Sequence, residues 1–486
     1  MKESINFSIK LCLCVVVAGF LFTPNPALAQ GKAKKLDELM TLYHNVGQFN
    51  GAVLVAEHGK VIYRKGFGFA NYEWNIPNSP DAKFRIGSIT KSFTAILTLQ
   101  LVEQGKLKLE GKVTDYLPNY SRKTGDRITV NQLLTHTSGL PDYNDVPDFF
   151  RAVQSGSLNN DEIIKRISEY DLLFEPGAKF SYSNDGYRVL GAVIEKVTGK
   201  SYAQVLQENI LNPLKMKNTG YSNRNAVLSK RAAGYRKRLA GLENAQFYEA
   251  SPASGMYSTV DDLFLFDEAL YTDKLLSQKS KDLMWQVAPS GNAYGWQVSK
   301  IALGQNENGF KVMTEGAVFG FFARSVRLPQ EKQTIILLAN VRAATNFLPD
   351  IERGLISVLY SKPYASPKKS IAETLFVAVK QNGIESALRQ YRDLKREQFD
   401  SYSFAENELN SLGYQLLNMQ KVEEAIEIFK LNVEAYPQSS NAYDSLGEAY
   451  LVNGDKELAI KNYQKSVELN PQNTNGIEML RKLRSQ

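Results

Sequence analysis

From about residue 36 to 362, apolar and polar positions alternate at two periods, and the switches between periods mark out the elements. Residues 51–70, GAVLVAEHGKVIYRKGFGFA, keep strand-like spacing interrupted at His58-Gly59, which predicts two strands joined by a turn. Residues 88–104 change to helical spacing, with Phe93, Ile96, Leu97, Leu99 and Val102 on an apolar face. Residues 186–208 form a second amphipathic stretch, broken at TGKS. Further on, FKVMTEGAV, GFFARSVRL and QTIILLAN read as three strands with turns between them. The economical arrangement is an α/β fold of the α+β kind, an antiparallel sheet flanked by helices that form an all-helical domain beside it.

Around SKPYASPKKS, residues 361–370, the texture becomes rich in Pro, Ser and Lys, and beyond it everything reads as helix. LGYQLLNMQKVEEAIEIFKLNVEAYP is echoed by LGEAYLVNGDKELAIKNYQKSVELNP. Gly413 maps to Gly447, Ala425 to Ala459, Phe429 to Tyr463 and Pro437 to Pro471, each 34 positions on. That period and order of residue types resemble tetratricopeptide repeats. An earlier piece, GIESALRQYRDL from Gly383, looks like half of a degenerate repeat, and two full repeats are expected to lean on that segment or on the first domain. The expected division is a leader over 1–29, a first domain over 30–362, a linker over 363–370 and an all-α domain over 371–486, with repeats at about 408–441 and 442–475.

The leader follows from Lys2 and Lys10, the apolar run LCLCVVVAGFLF, and small residues at Ala27 and Ala29, with cleavage expected at Ala29–Gln30. The expected location is therefore periplasmic or extracellular, with no membrane span in the mature chain, since the apolar run is short for a span of ~20 residues. Both cysteines, Cys12 and Cys14, lie in the leader, which leaves the mature chain without a disulfide, a thiolate metal site or a cysteine nucleophile. The net charge of +7 over 486 residues forms no dense basic stripe, which argues against nucleic acid as a partner.

Only three histidines are present, His44, His58 and His136, with no His-Glu-x-x-His, and no metal or other cofactor is expected. Gly199-Lys200-Ser201 hints at a phosphate loop, but Ile194 stands where its first glycine belongs. What remains is Ser88 and Lys91 in RIGSITKSFTA. At about 100° per residue, three positions bring both side chains to one helix face. A serine at its ordinary pKa needs an adjacent base, and a lysine serves as one only when burial or positive neighbours lower its pKa. Alone, the pair also fits a Ser cap followed by a solvated Lys.

Tyr182 and Asn184, in EPGAKFSYSNDGYRVLGAVIE, lie two apart, so in an extended loop their side chains point the same way. A phenol beside Lys91 shares a proton relay, and a carboxamide can hydrogen-bond both lysine and substrate. Alone, these two fit a loop tyrosine and a helix-capping Asn better. Together, Ser88-Ile-Thr-Lys91 and Tyr182-Ser-Asn184 resemble the penicillin-recognising serine hydrolases, nearest the class C β-lactamase-like group of β-lactamases, D-alanyl-D-alanine carboxypeptidases, D-aminopeptidases and esterases. LLTHTSGLPDY at 133–143, PGAKFSYSNDGYRVLGAVIEKVTGKSY at 176–202 and ASGMYSTVDDLFLF at 253–266 match as well, and the likeness covers about 36 to 360. The resemblance implies covalent acyl transfer: Ser88 as nucleophile, Lys91 as general base, Tyr182 as general acid/base, and Asn184 bonding lysine and substrate. His136 is then a packing and turn residue.

The resemblance also places an oxyanion hole at the backbone N–H groups of Ser88 and of Ala317 on an edge strand. That strand departs from the family, which has Lys or His, a small residue, then Gly, where this chain has Thr314-Glu315-Gly316. Gly316 still permits close approach of substrate, but Thr314 lacks the ammonium that would hold a substrate carboxylate, and Glu315 adds a negative charge. One charge-assisted hydrogen bond contributes roughly 1.5–3 kcal/mol, one to two decades in affinity. Weak or absent β-lactam turnover is expected, with an ester, amide or peptide as the small-molecule or peptide substrate. The rival reading is an inactive scaffold that binds a protein partner through its repeats.

Overall fold

The computed structural model describes residues 26–142, 146–155, 158–223, 226–245, 251–286, 292–303 and 306–485. Of the expected leader, residues 1–25 lie outside the described residues, and helix α1 runs Pro26–Asn45. Among the described residues, no helix is long and apolar enough to cross a membrane.

A seven-stranded antiparallel sheet carries the first region. Its strands are β1 (Gly51–Glu57), β2 (Lys60–Phe67), β3 (Asn292–Ala293), β4 (Trp296–Leu303), β5 (Asn306–Val318), β6 (Phe321–Leu328) and β7 (Gln333–Ala339). They lie in the order β3-β4-β5-β6-β7-β1-β2. Between β1 and β2 the turn uses positive φ at both His58 and Gly59, the backbone a two-residue hairpin requires. The inner strands β1 and β7 are buried almost end to end and carry the apolar runs Ala52–Ala56 and Ile335–Ala339, because both faces are covered. Ala52, Leu54 and Ala56 join one core, while Val53 and Val55 join the other. The edge strand β2 carries Lys60, Arg64 and Lys65 towards solvent, which discourages further strand pairing.

Helix α1 and a later helix, Leu348–Leu359, cover one face of the sheet with Leu36, Leu39, Ile351 and Leu355. On the other face α4 (Val260–Ala269) packs against β1 and β7, and α2 (Thr90–Glu103) and α3 (Asn184–Thr198) pack on each other within the same apolar core. The sequence suggests a single apolar face for α2, whereas the structure buries nearly its whole circumference. Its hydroxyls allow this by bonding backbone carbonyls: Ser92 to Ile89, Thr94 to Pro252 and Thr98 to Thr94. Phe93 stacks on Phe266 of α4 at 3.9 Å. The break at TGKS is a pair of helix caps. Gly199 takes the left-handed conformation that ends α3, and Ser201 caps Tyr202–Leu206.

Beyond Lys369–Ser370 the chain is an array of helices with its own apolar core. We label these α5 (Ile371–Asn382), α6 (Ile384–Glu397), α7 (Glu406–Asn418), α8 (Val422–Ala435), α9 (Ser440–Asn453), α10 (Lys456–Leu469) and α11 (Thr474–Arg484). The 34-residue echo has a steric cause. A Cβ on Gly413 would meet the Phe429 ring at 2.4 Å, and one on Gly447 would meet Tyr463 at 3.2 Å. In each pair a small residue on the first helix admits an aromatic from the second. The segment from Gly383 finds its other half in α5, an apolar run whose sequence carries no mark of its partner. Lys237 joins the two regions, bonding Glu373 at 2.7 Å and the Gly47 carbonyl at 2.9 Å.

Candidate active site

Ser88 lies in a tight turn, Gly87–Ile89, that leads into α2, and Lys91 is the second residue of that helix. The turn presses on β5. A Cβ on Gly316 would lie 1.9 Å from the Ile86 carbonyl oxygen and 2.8 Å from the Ser88 nitrogen. A Cβ on Gly87, at φ +53°, would lie 3.0 Å from the Ala317 nitrogen. Two glycines facing each other therefore bring the amides of Ser88 and Ala317 close together beside the serine hydroxyl.

Lys91 Nζ is 3.1 Å from Ser88 Oγ, 2.8 Å from Asn184 Oδ1 and 2.9 Å from the Ala253 carbonyl oxygen. As an ammonium, Nζ donates one hydrogen to each of the three; as a neutral amine it keeps two hydrogens for the two carbonyl oxygens and turns its lone pair to the serine O–H. The side chain is 2% exposed. Burial, aided by the Arg188 guanidinium and opposed by Asp142, brings its pKa down from 10.5 to about 7. The condition for a lysine base is met by desolvation.

Tyr182 donates to Ser88 Oγ at 2.8 Å, and Lys91 Nζ lies 4.8 Å from its ring centre. The ring is 44% exposed yet held in place, stacked on His136 at 4.5 Å. His136 is buried, at φ +58°, and its Nδ1 accepts from the Ser183 N–H at 3.1 Å. Burial and the charge of Lys91 push its pKa down to about 3, so the ring is neutral and acts as a platform. Ser183 caps α3 by accepting from Gly186 N–H, which fixes Asn184 at the first position of the helix. Asn184 in turn donates its main-chain N–H and its Nδ2 to Asp142 Oδ2, each at 2.8 Å.

Lys91 and Tyr182 thus meet at Ser88, Asn184 meets Lys91, and Thr314, Gly316 and Ala317 line the same cleft of about 520 Å³. Glu315 contributes less negative charge than the sequence implies. It pairs with Arg324, its cross-strand neighbour, which also binds Glu352. Arg342, which also lines the cleft, lies over Phe322 at 5.2 Å and donates to the Val318 carbonyl oxygen at 3.5 Å. Among the described residues, no three His, Cys, Asp or Glu gather to hold a metal ion. Sequence reasoning missed Asp142 and the Ala253 carbonyl, although both fall in stretches quoted above. An acid directly after TSGLP was the available signal for Asp142, whereas a carbonyl acceptor leaves no trace in residue type.

Residues 34–341 match the family described as Beta-lactamase, and the chain belongs to that family of serine hydrolases. Residues 440–473 match the tetratricopeptide repeat. Penicillin-binding protein 4* of Bacillus subtilis (strain 168) is 30% identical over 365 residues, covering 70% of this chain and 79% of its own length. The D-amino acid amidase from Ochrobactrum anthropi SV3 is 25% identical with a TM-score of 0.56, covering 69% of this chain and 97% of that one. A class C β-lactamase shares the fold at 21% identity and a TM-score of 0.58, covering 67% of this chain and 96% of that one. The expected kinship with penicillin-recognising serine hydrolases and the expected fold class both stand.

Proposed function

We propose that this chain is an exported serine hydrolase that cleaves an ester, amide or peptide through an acyl-enzyme on Ser88. Neutral Lys91 takes the proton as Ser88 Oγ bonds to the substrate carbonyl carbon. The oxyanion is received by the amides of Ser88 and Ala317. Tyr182, hydrogen-bonded to Oγ, passes its phenol proton to the leaving group as the bond from that group to carbon breaks, and takes back the proton held by Lys91, so that one proton moves in all from serine to leaving group; water then releases the acyl group by the reverse route. Thr314 and Gly316 supply the strand edge along which substrate lies. One observation carries this reading: Lys91 is buried with two carbonyl acceptors, so its remaining direction points at Ser88.

The wall at Thr314 has no ammonium, which favours esters or amides without a carboxylate at that place. The competing reading, a binding protein with a silent site and a protein partner on the repeats, draws on that same missing cation. A fluorophosphonate probe separates the two. Labelling of the wild-type chain that is lost in Ser88→Ala supports the hydrolase, and no labelling by fluorophosphonate or fluorescent penicillin supports the scaffold. Side-by-side hydrolysis of short p-nitrophenyl esters, D-amino amides and nitrocefin then tests substrate class. Strong nitrocefin turnover would overturn the preference for substrates lacking a carboxylate.

A further inference from the structure

The carboxamide of Asn184 has two ends of nearly equal size, and only one orientation suits a lysine base. With Oδ1 towards Lys91, the amine donates a hydrogen there and keeps its lone pair for Ser88. With the ends exchanged, an N–H would face Nζ, and the lone pair would be drawn to Asn184 and away from the serine. The lysine alone does not choose between these, because an amine can donate or accept.

Asp142 does choose. Its carboxylate is an acceptor only, it is buried, and one oxygen receives both the Asn184 main-chain N–H and Nδ2 at 2.8 Å. Exchanging the ends of the amide would set Oδ1 against that carboxylate and lose the bond. We propose that Asp142 is a positioning residue that locks the Asn184 carboxamide with its oxygen towards Lys91, and thereby aims the lysine lone pair at Ser88. This inference rests on the reading of Ser88 as the acylated nucleophile.

Asp142 also faces Lys91 as a charge. The other groups around Nζ are Arg188 from α3, the rings of Tyr182 and Tyr187, and neutral His136. Among the charged groups that act on Lys91, Asp142 holds its proton on and Arg188 drives it off. Removing the carboxylate charge therefore moves the titration of Lys91 to lower pH.

The test measures fluorophosphonate labelling rate against pH for wild type, Asp142→Asn and Asp142→Ala. Both variants lose the charge, so in both the acid limb of the profile moves to lower pH. Asp142→Asn keeps an oxygen that accepts from Asn184 and holds most of the high-pH plateau. Asp142→Ala frees the amide to turn, and its plateau falls by about tenfold or more, part of the roughly 10²–10⁴ that a positioned base contributes. Rescue of the plateau by Asp142→Asn relative to Asp142→Ala is the readout of the lock, whereas the limb reports the lost charge alone. If Asp142→Ala does not fold, the near-isosteric Asp142→Leu, which also offers no acceptor, takes its place in the same comparison. An Asp142→Ala plateau equal to wild type, or an Asp142→Asn plateau as low as that of Asp142→Ala, overturns the proposal. A wild-type chain as silent as Ser88→Ala overturns the hydrolase reading, and this inference with it.

Discussion

Replacing Lys91 by Met keeps a long unbranched side chain and removes the titrating amine. The folded pKa of about 7 lies below the ordinary 10.5, so between those values the unfolded chain binds a proton that the folded chain has released. Stability of the wild-type fold therefore rises with pH across that window, by about 1.4 kcal/mol per unit. Below pH 7 both states carry the proton and the full desolvation penalty persists; above 10.5 neither does. The difference in unfolding free energy between wild type and Lys91→Met is then flat from pH 5 to 6.5 and grows by roughly 2.5 kcal/mol between pH 7 and 9. The hydrogen bonds that disappear with the amine add a constant and leave that slope intact. Urea unfolding followed by tryptophan fluorescence reads the relevant region, because Trp74, Trp285 and Trp296 all lie in it. The same proton sets the acylation rate, with about half the amine neutral at pH 7 and a tenfold loss for each unit below. Parallel stability curves for the two proteins across pH 7 to 9 would refute the claim that the amine is held neutral by burial.

Tyr182→Phe keeps the ring stacked on His136 and deletes the bond to Ser88 Oγ. Labelling by fluorophosphonate is expected to slow by roughly 10²–10⁴ while the urea midpoint stays unchanged. Gly316→Ala drives a methyl group into the backbone of the serine turn, at the Ile86 carbonyl oxygen and the Ser88 nitrogen, so the strand must withdraw from that turn. A loss of about 1–3 kcal/mol in urea unfolding together with near-complete loss of labelling is expected, and unchanged labelling would contradict the close approach of β5.

Much of the architecture was legible because it follows from periodicity. The hairpin at His58-Gly59, the late strands and the repeated helical pairs each announce themselves over short distances, where pattern and local sterics suffice. Helix α5 falls in the expected all-α domain but without an expected partner, because an apolar helical run does not state what it pairs with. The circumference of α2 was misjudged for a related reason. Threonines look polar in sequence, and only the carbonyls of neighbouring turns and of Pro252 make them fit for a core.

The sequence by itself determined which groups were available: a hydroxyl and an amine one turn apart, a phenol and a carboxamide two apart, and a glycine-bearing strand without its usual cation. Residue type and local spacing are covalent facts, readable without folding. Tertiary structure alone decided how those groups are charged and aimed. Burial lowers the Lys91 pKa, Asp142 and the Ala253 carbonyl orient its hydrogens, and Arg324 takes up the charge of Glu315. Desolvation and hydrogen-bond direction depend on atoms brought in from across the chain, and no local pattern encodes them.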